Sequence, residues 1–195
     1  LTATDGDGDP LVGGFPGGSF AIDVQDDVPV LAGSGQERPQ VSGLVHEDVL
    51  SSPYPGNSEG GQTLVASGAA GSLHALVDFG ADGPGDFGLA ADLSSLTAQG
   101  LSSEGTALSY TVDTNSGLLT ASANGHTIFT LQVNGNGSWT FTLSGPLDHP
   151  DMDGNDNETL PGLGIDFSGV LTATDGDGDP LVGGFPGGSF AIDVQ

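Results

Sequence analysis

ALSYTVDTNSGLLTASANGHTIFTLQVNGNGSWTFTL, residues 107–143, is the stretch from which the fold can be read. Runs of alternating apolar and polar residues at 107–113, 118–123, 126–133 and 138–143 are separated by TNSG, NG and NGNG. Alternation places successive side chains on opposite faces of a pleated strand, and Asn-Gly supplies the positive φ angles that a two-residue hairpin demands. The stretch therefore predicts an antiparallel meander. Thr127, Phe129, Leu131 and Val133 are expected to share one face, and Trp139, Phe141 and Leu143 a face of the adjoining strand, and together they are the expected core.

Outward from the meander, residues 62–67, 72–79, 165–174 and 189–194 read as weaker strands, and LAADLSSLTAQGL at 89–101 as the one short helix. Glycine at 35 residues and proline at 12 cut the chain into short segments, few of which support a helical period. Seven to ten short strands with turn signals between them predict an all-β fold, an immunoglobulin-like β-sandwich.

The ends of the chain hold its most informative feature. LTATDGDGDPLVGGFPGGSFAIDVQ at 1–25 recurs without a change at 171–195, an offset of 170 residues. Such identity implies near-identical units head to tail, each of about 170 residues. A boundary is expected at the acidic, proline-stiffened DDVP of 26–29, so that residues 1–26 close a preceding repeat and 27–195 form one near-complete repeat. Length, reach and multivalency need copies, whereas catalysis needs one well-made site, so the repetition points away from an enzyme.

The charge is extreme. Twenty-six acidic residues stand against a single basic one, Arg38, for a formal net charge of -25. Internal ion pairs cannot neutralise such a chain, so its carboxylates must be solvated, screened by salt or bound to cations. Nucleic acid and anionic lipid are excluded as partners for want of anything to neutralise phosphate. No cysteine is present to form a disulfide or a thiolate metal site, and no apolar run reaches the ~18 residues of a membrane span.

The carboxylates fall in sets. Asp175, Asp177 and Asp179, copied as Asp5, Asp7 and Asp9, alternate with glycines that let side chains and carbonyls converge on one point. This suits Ca2+, a hard cation that takes about six to eight oxygens. The loop is not an EF-hand: counted from Asp175, position six is Pro180 and position twelve is Pro186. A second set, Asp148, Asp151, Asp153, Asp156 and Glu158, crowds five carboxylates into eleven residues. A third, Asp26 and Asp27 with Glu47 and Asp48, flanks the expected boundary and would share a calcium that stiffens the joint. Asp78, Asp82 and Asp86 form a fainter set. The four histidines, His46, His74, His126 and His149, show no ligand spacing, and no G-x-S-x-G elbow is present, so no catalytic residue is expected.

At GSWTFTLSGPLDHP (137–150), IDFSGVLTATDGDGDP (165–180) and FAIDVQDDVP (20–29, the last strand repeated from Phe190), the chain resembles the repeat domains of large type I-secreted RTX adhesins. The resemblance covers the C-terminal half and the junction well, and residues 50–110 poorly. It implies calcium-rigidified β-sandwich repeats, exported to the bacterial cell surface, that extend an adhesin for attachment or biofilm formation, with adjacent repeats of the same chain as partners. The alternative is a calcium-dependent module of such an adhesin that binds a surface glycan or protein. An exposed aromatic beside a cation loop would favour it, with Phe15 and Phe185 of GGFPGG as candidates.

Overall fold

A computed structural model describes residues 1–51, 53–56, 61–149 and 164–195. The chain is all-β and sandwich-like. Its strands are β1 (Val30–Leu31), β2 (Val41–Val45), β3 (Val65–Gly68), β4 (Val77–Asp78), β5 (Pro84–Leu89), β6 (Ser102–Ser103), β7 (Thr106–Ala107), β8 (Ser109–Asp113), β9 (Leu118–Ala123), β10 (His126–Val133), β11 (Trp139–Leu143), β12 (Ile165–Asp166), β13 (Leu171–Asp175) and β14 (Phe190–Val194).

The predicted meander is the backbone of the largest sheet, ordered β3-β11-β10-β9-β8 and antiparallel throughout. The β9–β10 hairpin turns at Asn124 and Gly125, with φ of 53° and 80°, the left-handed pair that Asn-Gly adopts at low cost. A β12-β14-β2 sheet, in which β14 runs parallel to β2, and a β13-β5 pair complete the main pairings. The β1–β4 and β6–β7 pairs are short accessories.

Alternation buries one face of each meander strand: Leu119, Ala121 and Ala123 of β9, then Trp139, Phe141 and Leu143 of β11. Phe129 and Phe141 each place their ring 6.0 Å from Phe167, which lies 5.8 Å from Phe190 of β14. Trp139 meets Phe190 edge-on at 5.0 Å. This aromatic cluster joins the large sheet to the strands opposite, and full burial of each ring contributes about 1.5–3 kcal/mol.

Several sequence expectations need correction. Thr127 is exposed and does not share the face of Phe129, because a register shift between them inserts Ile128, which is buried instead. Such a bulge breaks strict alternation. Residues 72–79 are not one strand: a 3-10 turn, Ser72–Leu76, precedes two-residue β4, beginning after Gly71 in the left-handed region. The helix expected at 89–101 shrinks to α1 (Ser94–Thr97), since Leu89 belongs to β5. A 3-10 turn at Ser168–Val170 splits the strand expected over 165–174.

The two identical 25-residue segments occupy opposite situations. Residues 171–195 supply β13 and β14, whereas every residue from 1 to 28 is exposed and residues 1–25 contain no strand.

Candidate metal centre

The DGDGD loop begins where β13 ends. Asp175 is register-paired with Pro84 of β5, and Gly85 lets that strand lie against the Asp175 carbonyl, where any Cβ would collide. The loop is closed by its own first carboxylate: Asp175 Oδ1 accepts the N–H groups of Gly178 at 3.1 Å and Asp179 at 2.8 Å. Gly178 takes φ of 106°, a conformation closed to most side chains. Gly176 N–H donates to the Gly83 carbonyl at 2.9 Å, tying the loop to the turn that carries Asp82.

That turn, Gly80–Asp82, is in turn anchored by Asp27 of the DDVP stretch. Asp27 Oδ2 accepts the Ala81 N–H at 2.9 Å, and Asp78 Oδ1 accepts the Gly80 N–H at 3.2 Å. The result is a convergence of acids from distant parts of the chain. Carboxylate oxygens of Asp82, Asp175 and Asp177 lie within 4.8 Å of one another, and so do those of Asp26, Asp177 and Asp179. That spacing matches oxygens on opposite sides of a calcium ion, which binds each at about 2.3–2.6 Å.

Asp175 is the residue of the cluster whose surroundings best suit a cation. It is only 2 % exposed, and with its neighbours ionised its Oδ2 is buried without a hydrogen-bond partner. A buried carboxylate oxygen left unpaired is costly, and a bound cation removes that cost. The donor set fits: all oxygens, with no thiolate or imidazole, which favours a hard cation over zinc or copper.

Electrostatics without a cation show the same strain. Asp177 is pushed up to about 6, first by a carboxyl hydrogen bond with Asp175, then by lost hydration and the charges of Asp26, Asp175 and Asp82. Asp179 is raised by lost hydration and by Asp26, Asp175 and Asp82. For Asp175, lost hydration works upward, but hydrogen bonds from Asp177 and from the backbone of Asp179, Gly178 and Asp177 outweigh it and hold the carboxyl below its usual range.

The free copy serves as an internal control. Asp5 Oδ1 accepts the N–H groups of Asp7 at 3.3 Å and Asp9 at 2.9 Å, and oxygens of Asp5, Asp7 and Asp9 also fall within 4.8 Å of one another. All three are exposed, and neither Asp26 nor Asp82 joins them. The loop fold is thus local, whereas burial of the lead carboxylate is supplied by the surrounding chain.

The remaining expected ligands are placed elsewhere. Asp26 and Asp27 do not share a site with Glu47 and Asp48, because Asp27 bonds the 80–82 turn and Asp26 meets Asp177 and Asp179 of the DGDGD loop. Glu47 Oε1 accepts the Leu147 N–H at 2.7 Å and pairs with His149 at 3.5 Å, and Asp48 accepts from Gln62 at 2.9 Å. Asp148 clamps the β6–β7 hairpin, accepting from Ser102 Oγ at 2.6 Å and Gly105 N–H at 2.9 Å, and the Ser102 bond is the chief reason its carboxyl is lowered. Asp151, Asp153, Asp156 and Glu158 lie outside the described residues. Of the faint 78–86 set, only Asp82 joins the cluster: Asp78 caps its own turn and Asp86 lies beside Gly135. The visible signal for Asp82 was the density of Gly and Asp in DFGADGPGD, but only the β5–β13 pairing singles it out.

Fold and site together define an all-β module in which the carboxylates of Asp26, Asp82, Asp175, Asp177 and Asp179 gather at the DGDGD loop. The chain belongs to the DUF5801 family, described as a domain of unknown function, which matches residues 38–182. The match includes Asp82, Asp175, Asp177 and Asp179 and stops short of Asp26 and β14. No curated protein and no solved structure matches the chain.

Proposed function

We propose that this chain is a calcium-stabilised extender repeat of a bacterial cell-surface adhesin, secreted by a type I route and projecting a binding region for attachment or biofilm formation. The observation that carries the reading is the buried, unpartnered Asp175 Oδ2 among the carboxylates of Asp26, Asp82, Asp177 and Asp179. Asp26, in the linker, groups with Asp177 and Asp179, and Asp177 also groups with Asp82 and Asp175, so cation binding at this loop fastens the linker to the body of the unit that follows it. With Ca2+ present, attraction replaces repulsion and the joint holds one angle. The exact 25-residue recurrence supplies the second support, since copies in tandem serve reach. On this reading the chain catalyses nothing and its partners are neighbouring repeats.

The alternative, a calcium-dependent glycan- or protein-binding module, calls for an exposed aromatic beside the buried loop. Phe185, which follows that loop, is itself buried, so the extender reading is the better supported. Calcium titration by calorimetry, followed by small-angle scattering of a two-unit chain with and without chelator, tests the proposal. Saturable binding with a narrower distance distribution in calcium is expected. Binding with no change in that distribution would shift the case to the binding module, and no binding would end the calcium reading.

A further inference from the structure

Arg38 is the one arginine or lysine beside 26 acidic residues, yet among the described residues its guanidinium pairs with no carboxylate. Its backbone is held in place. Gly33, at φ of 66°, packs so closely on the Glu37 carbonyl that a Cβ would collide, and Glu37 N–H donates to the Ser34 carbonyl at 3.2 Å. With Pro39, Gln40, Pro186 and Ser189, Arg38 lines a cleft of about 220 Å³. Ser189 fixes the far wall: its Oγ donates to the Pro186 carbonyl at 2.7 Å, and its carbonyl accepts the Val41 N–H at 2.8 Å.

That cleft stands at one end of the β2–β14 pair. The two strands run parallel, from Val41 beside Phe190 to Val45 beside Val194. At the far end Glu47 N–H donates to the Gln195 carbonyl at 2.6 Å, and Glu47 Oε1 accepts from Leu147, the neighbour of Asp148. Glu47, Asp48 and Asp148 each take donors of their own unit through one carboxylate oxygen. The five residues of β2 at ~3.3 Å each set the two ends about 16 Å apart, so Arg38 does not reach these acids within its own unit.

We propose that Arg38 docks on the carboxylates of Glu47, Asp48 and Asp148 of the repeat before it. The inference rests on the extender reading, in which the next unit joins at Gln195, so that the Glu47 end of one unit meets the Arg38 end of the next. A guanidinium presents a rigid fork of donors that matches a carboxylate. Acidic ends repel one another, whereas the Arg38 end and the acidic end attract, which fixes the direction of docking. The DGDGD loop and this pair hold the joint at separate points, and two points fix an angle that one leaves free to swing.

The test exploits the absence of lysine. In a two-unit chain of this sequence carrying Arg38→Lys in its second unit and an acetylated N-terminus, position 38 holds the one free amine, which a carbodiimide joins only to a carboxylate in contact with it. In calcium, peptide mapping should find residue 38 coupled to Glu47, Asp48 or Asp148. The single-unit variant at about 10 μM should give roughly 100-fold less of that product, because linkage sets an effective concentration on the order of 1 mM. Arg38→Glu in the second unit should broaden the scattering distance distribution in calcium, yet leave the melting temperature of the single-unit chain unchanged, since the residue is exposed and unpaired there. Coupling to any other carboxylate, coupling to none, or a distribution unmoved by Arg38→Glu, in a chain that calcium still narrows, would overturn the docking and leave the extender reading standing. A native distribution that calcium does not narrow would sink that reading, and the docking with it.

Discussion

Replacing Asp82 by Asn should move stability in opposite directions with and without calcium. The side chain is exposed and belongs to the Gly80–Asp82 turn, so an isosteric amide leaves the fold intact. In chelator, Asp82 only repels Asp177 and Asp179, and its neutralisation should raise the melting temperature. In calcium, the proposed function makes the carboxylate a ligand. One site of extracellular affinity, Kd about 0.1–1 mM, contributes about 1.4–2.7 kcal/mol at ~10 mM calcium. At roughly 2–4 °C per kcal/mol for a domain of this size, the native chain should gain about 3–11 °C. If the amide weakens binding about tenfold, the contribution falls to about 0.4–1.4 kcal/mol and the gain to about 1–6 °C. Differential scanning calorimetry in chelator and in calcium, with sodium at matched ionic strength, measures both arms. Equal destabilisation in the two buffers would show a purely structural role for Asp82 and refute the reasoning.

Other consequences concern pH and packing. Asp177 has its proton held up to about 6 against 3.8 for an unperturbed carboxyl, so in chelator the folded chain binds the extra proton and stability should fall as pH rises from about 4 to 6. Excess calcium displaces that proton and should abolish or reverse the slope, and parallel slopes in melting curves would argue against a cation at Asp177. Burial pushes the Tyr110 hydroxyl up to about 12, so its ultraviolet titration should lag an ordinary tyrosine, with stability lost between about pH 10 and 12. Gly85→Ala sets a Cβ into the Asp175 carbonyl and should lower both stability and calcium affinity, whereas Gly125→Ala, whose Cβ meets nothing but whose φ is 80°, should lower stability alone. Equal calcium affinities in the two glycine variants would detach the β5–β13 pairing from the site.

What the sequence disclosed was local. Asn124-Gly125 and the alternation of β9, β10 and β11 name their own partners, so the meander and the burial of Phe129, Phe141 and Trp139 could be read directly. Ile128 could not, because a bulge is a choice made by the paired strands and not by one of them. The DGDGD pattern announced a locally closed loop of converging carboxylates, since its glycines and first carboxylate close it within five residues. Its completion by Asp82 and Asp26 depends on β13 pairing with β5 and on the Asp27–Ala81 hydrogen bond, contacts between residues far apart in the chain. Charge alone groups Glu47 and Asp48 with Asp26 and Asp27, yet a backbone donor takes one oxygen of Glu47 and a side-chain donor one of Asp48 at a different place in the fold.

The two DGDGD loops make the most direct measurement possible, because sequence is held constant and only surroundings differ. A calcium titration followed by the amide NMR signals of Gly6, Gly8, Gly176 and Gly178 reads both loops in one sample. The account predicts that Gly176 and Gly178 respond and saturate at calcium concentrations at least tenfold below those that shift Gly6 and Gly8, since only the second loop has a buried lead carboxylate and is joined by Asp82 and, at Asp177 and Asp179, by Asp26. Simultaneous saturation of both loops, or no response at Gly176 and Gly178, would contradict it.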